Sequence, residues 1–132
     1  MQPNSTEGKR GYQVQVYNQP VKRYCQTLDL KDNPELISEY RKRHSEAEHW
    51  ATIREGIRKV GILEMEIYLI SNHLFMIVET PVDFDWDSAM NKLSTLPRQA
   101  EWEEYMSIFQ VCRPEASSAE KWKLMERIFR LY

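Results

Sequence analysis

The segment from Ile62 to Thr80 constrains the fold more than any other part of the chain. From Ile62 to Ile70 the side chains alternate. Leu63, Met65, Ile67 and Leu69 fall on one side, and Glu64, Glu66 and Tyr68 fall on the other. A period of two sends successive side chains to opposite faces of a strand. Ser71-Asn72-His73 reads as a tight turn and Leu74 to Thr80 as a second strand, so the pair forms a hairpin. A hairpin with one apolar face needs the rest of the chain to cover that face.

The flanking segments supply candidates for that cover. Lys22 to Leu30 alternates Tyr24, Gln26, Leu28 and Leu30 against Cys25, Thr27 and Asp29, which is a third strand pattern. Asn33 suits a helix N-cap and Pro34 the first helical position, where its missing N–H costs nothing. The helix carries Leu36, Ile37, Tyr40 and His44 on roughly one side. The helical pattern resumes, or continues with a kink, at Trp50, Ile53, Ile57 and Val60 and ends at Gly61, a left-handed cap. After Pro81, Asp83 or Asp85 caps a helix with Trp86, Ala89, Met90 and Leu93 inward. A further helix starts at Ser94-Thr95, with Pro97 just inside it, and groups Trp102, Tyr105, Met106 and Phe109. Arg113 to Glu120 reads as a polar loop and Trp122 to Tyr132 as the final strand.

The order strand, helix, strand, strand, helices, strand is that of an α+β, ferredoxin-like βαββαβ fold, an antiparallel sheet with helices on one face. The other face and the sheet edges need a cover of their own. A homodimer of the dimeric α/β-barrel type is therefore expected. Residues 1–20 are polar and lack a signal-like apolar run, so they read as a flexible extension ahead of a single domain at 21–132.

Charge and motif content exclude several classes of function. Eighteen Lys and Arg against twenty Asp and Glu, a formal charge of −2, argue against a nucleic-acid partner, which needs clustered positive charge. No apolar run reaches the roughly 18 residues of a membrane span. Cys25 and Cys112 stand far apart, so neither a zinc site nor a disulfide framework is expected, and a reducing, cytoplasmic setting is the default. With four glycines there is no phosphate-cradling loop, and no HExxH or GxSxG motif appears. His44 and His49, five apart, do not stack on one helical face, so no metal site is expected from them.

Four Trp and seven Tyr are more than so short a chain needs for its core. Tyr40 and His44 are four apart, so they meet on one helix face. The imidazole there is either a proton carrier or a helix-end histidine in the basic run Arg41 to Arg43. Trp102 offers either core packing or a flat apolar plate for a sugar ring. Glu101, Glu103 and Glu104 are acceptors for hydroxyls or a solvated helix face. Glu64, Glu66 and Tyr68 line either a site or an exposed face. Trp50, Trp86 and Trp122 read as core.

The series Tyr40-x-x-x-His44, Trp50, Gly61-Ile62, Ile67-Tyr68-Leu69, Leu74-Phe75 and Trp102-x-x-Tyr105-Met106 resembles the L-rhamnose mutarotase family in order and spacing, over roughly Lys22 to Tyr132. The resemblance implies a dimeric ferredoxin-like protein that interconverts the α and β anomers of an L-6-deoxyhexose without a cofactor. It implies that His44 is the proton-donating histidine, that Tyr40 binds substrate and that Trp102 is the first of a sugar-binding tryptophan pair. Tyr68 is expected to help line the pocket, with Glu103 or Glu66 as the second acid–base group. Three departures stand out. Glu103 replaces the second tryptophan, Met65 replaces a further substrate tyrosine, and the step from His44 to Trp50 is two residues longer. They leave L-rhamnose and L-fucose as competing substrates. The rival classes are a non-catalytic small-molecule-binding ferredoxin-like module and a small αβ-barrel oxygenase.

Overall fold

The computed structural model describes residues 5–45, 47, 49–113 and 116–132. In chain order the elements are α1 (Ser5–Arg10), β1 (Val21–Asp29), α2 (Pro34–Arg43), α3 (Ala51–Lys59), β2 (Glu64–Ile70) and β3 (His73–Pro81). They continue with α4 (Trp86–Leu93), α5 (Gln99–Ser107), α6 (Ser118–Lys121) and β4 (Lys123–Leu124). The strands form one antiparallel sheet in the order β2-β3-β1-β4. This is the expected α+β ferredoxin-like arrangement. The sheet is open, and the chain does not close a barrel.

Register explains where the core sits. Tyr24 faces Val78, Gln26 faces Met76 and Leu28 faces Leu74 across β1 and β3, while Met65 and Ile67 face Val78 and Met76 across β2 and β3. These residues share one face, and Leu28, Leu74, Met76 and Val78 are buried there with Leu30, Ile53, Met106 and Phe109. The alternate residues, among them Arg23, Cys25, Phe75, Glu66 and Tyr68, occupy the outer face. There Arg23 and Tyr17 both donate to Glu79, and the Tyr12 and Tyr68 rings meet edge to face at 5.6 Å. Met1 to Asn4, the first part of the extension, lie outside the described residues.

Local chemistry places the helix ends. Asn33 Oδ1 accepts from Glu35 N and Leu36 N, both at 3.0 Å, and Pro34 opens α2. Asp85 Oδ2 caps α4 through Ser88 N at 3.1 Å. Gly61 takes φ +104°, the left-handed conformation that stops the helical run before β2.

Three expectations need correction. The final strand is not Trp122 to Tyr132. Only Lys123 and Leu124 pair with β1, and Met125 N makes one further bond to Cys25 O. The alternating pattern is real, but ladder pairing among the described residues stops there, and Ile128, Phe129, Leu131 and Tyr132 stand exposed. Pro97 does not lie inside a helix. α5 begins at Gln99 after Arg98, which adopts a left-handed φ of 64°. The polar loop 113–120 contains the start of a short helix, α6, opened by a Ser117/Glu120 capping box. Residues 114 and 115 of that loop lie outside the described residues.

Candidate functional site

A cavity of about 350 Å³ lies between the inner face of the sheet and the helices. This is near the lower end of ligand-site volumes, roughly 300–1,000 Å³, and suits a small ligand. One wall is apolar, from Ile53 and Ile57 on α3, Met65 and Ile67 on β2, and Met76 on β3. The rest is aromatic and polar: Tyr40, His44, His49, Trp50, Trp102, Glu103, Gln110 and Trp122. Arg43, Arg54 and Arg58 also contribute to its lining.

The spacing of four in α2 brings Tyr40 and His44 together. Their rings lie 4.3 Å apart at 35°. His44 is the C-cap residue of α2, and its Nδ1 lies 2.8 Å from Tyr40 O. A carbonyl only accepts, so Nδ1 carries the proton and Nε2 is left as the lone-pair nitrogen. Burial pushes the His44 pKa below its ordinary value of 6.5. The bond to Tyr40 O opposes this, and the Arg54 charge adds to it. His44 is thus a neutral base at physiological pH. Trp102, 9% exposed, meets the His44 ring edge to face at 5.4 Å and the Trp50 ring at 5.1 Å. Trp50 in turn stacks on Tyr105 at 5.8 Å and 15°, with the Arg98 guanidinium 4.2 Å from its ring centre.

Glu103 is held from two sides. Gln99 Nε2 donates to Oε2 at 2.6 Å, and Lys121 Nζ donates to Oε1 at 2.9 Å and to the Glu103 carbonyl at 2.6 Å. The Lys121 side chain has no solvent exposure and that of Glu103 has 14%, so a largely buried ion pair lies behind the cavity wall at Glu103. Tyr40 is 4% exposed. Burial drives its phenol pKa well up, so the group is protonated.

Tyr40, His44 and Trp102 therefore line one cavity. Tyr68 does not join them. It lies on the outer face, where its hydroxyl donates to Glu66 Oε1 at 3.1 Å, and the period-two register that turns Ile67 and Met65 toward the core sends both outward. Glu66 is removed from the site for the same reason, whereas Glu103 lines it. Trp50 and Trp122, read as core, also line the cavity. Gln110, Arg54 and the buried Lys121 carry no motif that singles them out. The one usable signal is the Ser117-x-x-Glu120 box, which announces the turn that carries Lys121 inward. Among the described residues no three His, Cys, Asp or Glu side chains gather as a metal site.

Comparison with known proteins agrees with this architecture. The sequence model of the L-rhamnose mutarotase family matches residues 23–131. The L-fucose mutarotase of Xanthomonas campestris pv. campestris is 32% identical over 111 residues, covering 84% of this chain and 89% of that protein. A UPF0734 protein of Dictyostelium discoideum is 37% identical over 114 residues, covering 83% of this chain and 90% of its own. The crystal structure of an L-rhamnose mutarotase from Formosa agariphila superposes with a TM-score of 0.63 at 17% identity, over 84% of this chain and 99% of that one, a likeness of fold. A family match that spans residues 23–131, with two relatives above 30% identity over more than four fifths of the chain, means that this chain belongs to the L-rhamnose mutarotase family of isomerases.

Proposed function

We propose that the protein is a mutarotase that interconverts the α and β anomers of an L-6-deoxyhexose, L-rhamnose or L-fucose, in the cytoplasm and as a homodimer. The observation that carries the reading is His44. It is a neutral imidazole with Nδ1–H tied to Tyr40 O and Nε2 free, in the wall of a cavity that also holds Trp102 and Glu103. The family membership and the L-fucose mutarotase relative support the choice of sugar.

The chemistry needs only a proton carrier. His44 Nε2 takes the proton of the anomeric hydroxyl, and the imidazolium returns it to the ring oxygen as the C1–O5 bond breaks. Rotation about C1–C2 turns the aldehyde. The same transfers in reverse close the ring on the opposite face, so no atom or electron is gained or lost. Trp102 packs against the C–H face of the sugar, the protonated Tyr40 phenol donates to it, and Glu103 accepts from its hydroxyls.

Anomer exchange by saturation-transfer NMR across L-rhamnose, L-fucose and common D-hexoses tests the function. Acceleration of one or both 6-deoxy sugars is expected, and acceleration of none sinks the reading. Binding without acceleration would make the protein a sugar-binding module. His44→Gln is expected to slow exchange by roughly 10²-fold or more with unchanged circular dichroism.

A further inference from the structure

Among the described residues, two buried side-chain nitrogen or oxygen atoms have no hydrogen-bond partner, Gln110 Oε1 and His49 Nδ1. Both residues line the cavity that holds His44. Native interiors seldom leave such atoms unpaired, and each instance calls for a specific cause. Gln110 is only 2% exposed, so bulk solvent does not satisfy it.

The backbone holds Gln110 in place. It forms an isolated antiparallel bridge with Leu30, Lys31 N donates to Phe109 O at 2.8 Å, and Val111 N donates to Asp29 O at 2.9 Å. The side-chain Nε2 reaches Tyr40 Oη at 3.4 Å. Turning the amide over would exchange its two ends and still leave one of them unpaired. As placed, Tyr40 Oη accepts from Gln110 and keeps its own proton for a ligand, while Gln110 Oε1 waits for a donor. A buried hydroxyl donor and a buried carbonyl acceptor side by side match the hydrogen-bonding capacity of an alcohol, which gives one proton and accepts another.

We propose that Gln110 is a substrate-binding, specificity-determining residue that reads ring hydroxyls together with Tyr40, and that His49 Nδ1 supplies a second hydroxyl contact. The identity of the ligand as a monosaccharide rests on the mutarotase reading. The unpaired atoms themselves call only for hydroxyl groups. A site built to bond a hydroxyl rejects the analogue that lacks it, because its own buried groups are then left unpaired.

The test is a cycle between residue and hydroxyl on the full chain. The probes are L-fucose, L-rhamnose and their monodeoxy derivatives. Binding is read by tryptophan fluorescence, since Trp50 and Trp102 line the cavity, and exchange is read by NMR on the same samples. Gln110→Leu is expected to weaken binding of the parent sugar about tenfold, and to bind one particular monodeoxy sugar as tightly as the wild type does. His49→Leu is expected to do the same for a different hydroxyl. A Gln110→Leu variant that binds the parent sugar normally, or that weakens every deoxy sugar equally, overturns the assignment of Gln110. Should that variant not fold, a wild type that binds every monodeoxy sugar as tightly as the parent overturns it instead. A wild type that shows the hydroxyl pattern but does not speed exchange keeps Gln110 in its role and sinks the mutarotase reading. A wild type that binds no sugar sinks both.

Discussion

His44 shows how much a single environment decides. Its position four after Tyr40 is plain in the sequence, but its protonation state comes from burial and from the Tyr40 carbonyl. Because folding lowers its pKa below 6.5, the unfolded chain binds a proton at a higher pH than the native one does. Stability from this group is therefore complete above about pH 6.5 and declines as the pH falls from there to the native value. Anomer exchange is expected to be level above neutrality and to fall with an apparent pKa below 6.5, which a pH–rate profile reads directly. A midpoint above 6.5 would mean that His44 is not a buried neutral base. Tyr68 shows the opposite case. Its family-like motif is legible, but the strand register turns it away from the cavity.

The N-caps of α2 and α4 were legible in the sequence. Asn33 caps where the sequence places it, and of the two candidates Asp83 and Asp85 it is Asp85 that caps α4, because an N-cap depends on a few adjacent residues and needs no tertiary partner. Asn33→Ala is expected to lower stability by about 1 kcal/mol, measured by thermal denaturation. The α5–α6 region was less legible, since its main interaction links residues 18 apart. Lys121→Met should leave the Glu103 carboxylate without its cation, held by Gln99 alone, and cost about 3 kcal/mol in urea unfolding, and Lys121→Met with Glu103→Leu should recover most of that loss. Recovery in the double variant separates an uncompensated charge from a simple loss of packing.

Beyond single elements, the sheet has one well-covered face and a sparse outer one, and the chain runs on past β4 with Ile128, Phe129, Leu131 and Tyr132 exposed. An extended segment with exposed apolar side chains and, among the described residues, no ladder partner past Leu124 is what a second copy would pair with and cover. Deletion of residues 125–132 is expected to convert a dimer to a monomer in light scattering, and an unchanged mass would place the contact elsewhere. The first three strands and the pairing of Tyr40 with His44 are local properties, set by periods of 2 and 3.6, so the chain alone declares them, whereas the extent of β4 is set by where its pairing with β1 stops. Which of its polar residues meet in the cavity is another matter. Gln110, Glu103 and His49 come from separate segments, and Glu66 and Glu103 look alike in sequence. Strand register and long-range packing alone put Glu103 inside beside Lys121 and turn Glu66 out beside Tyr68.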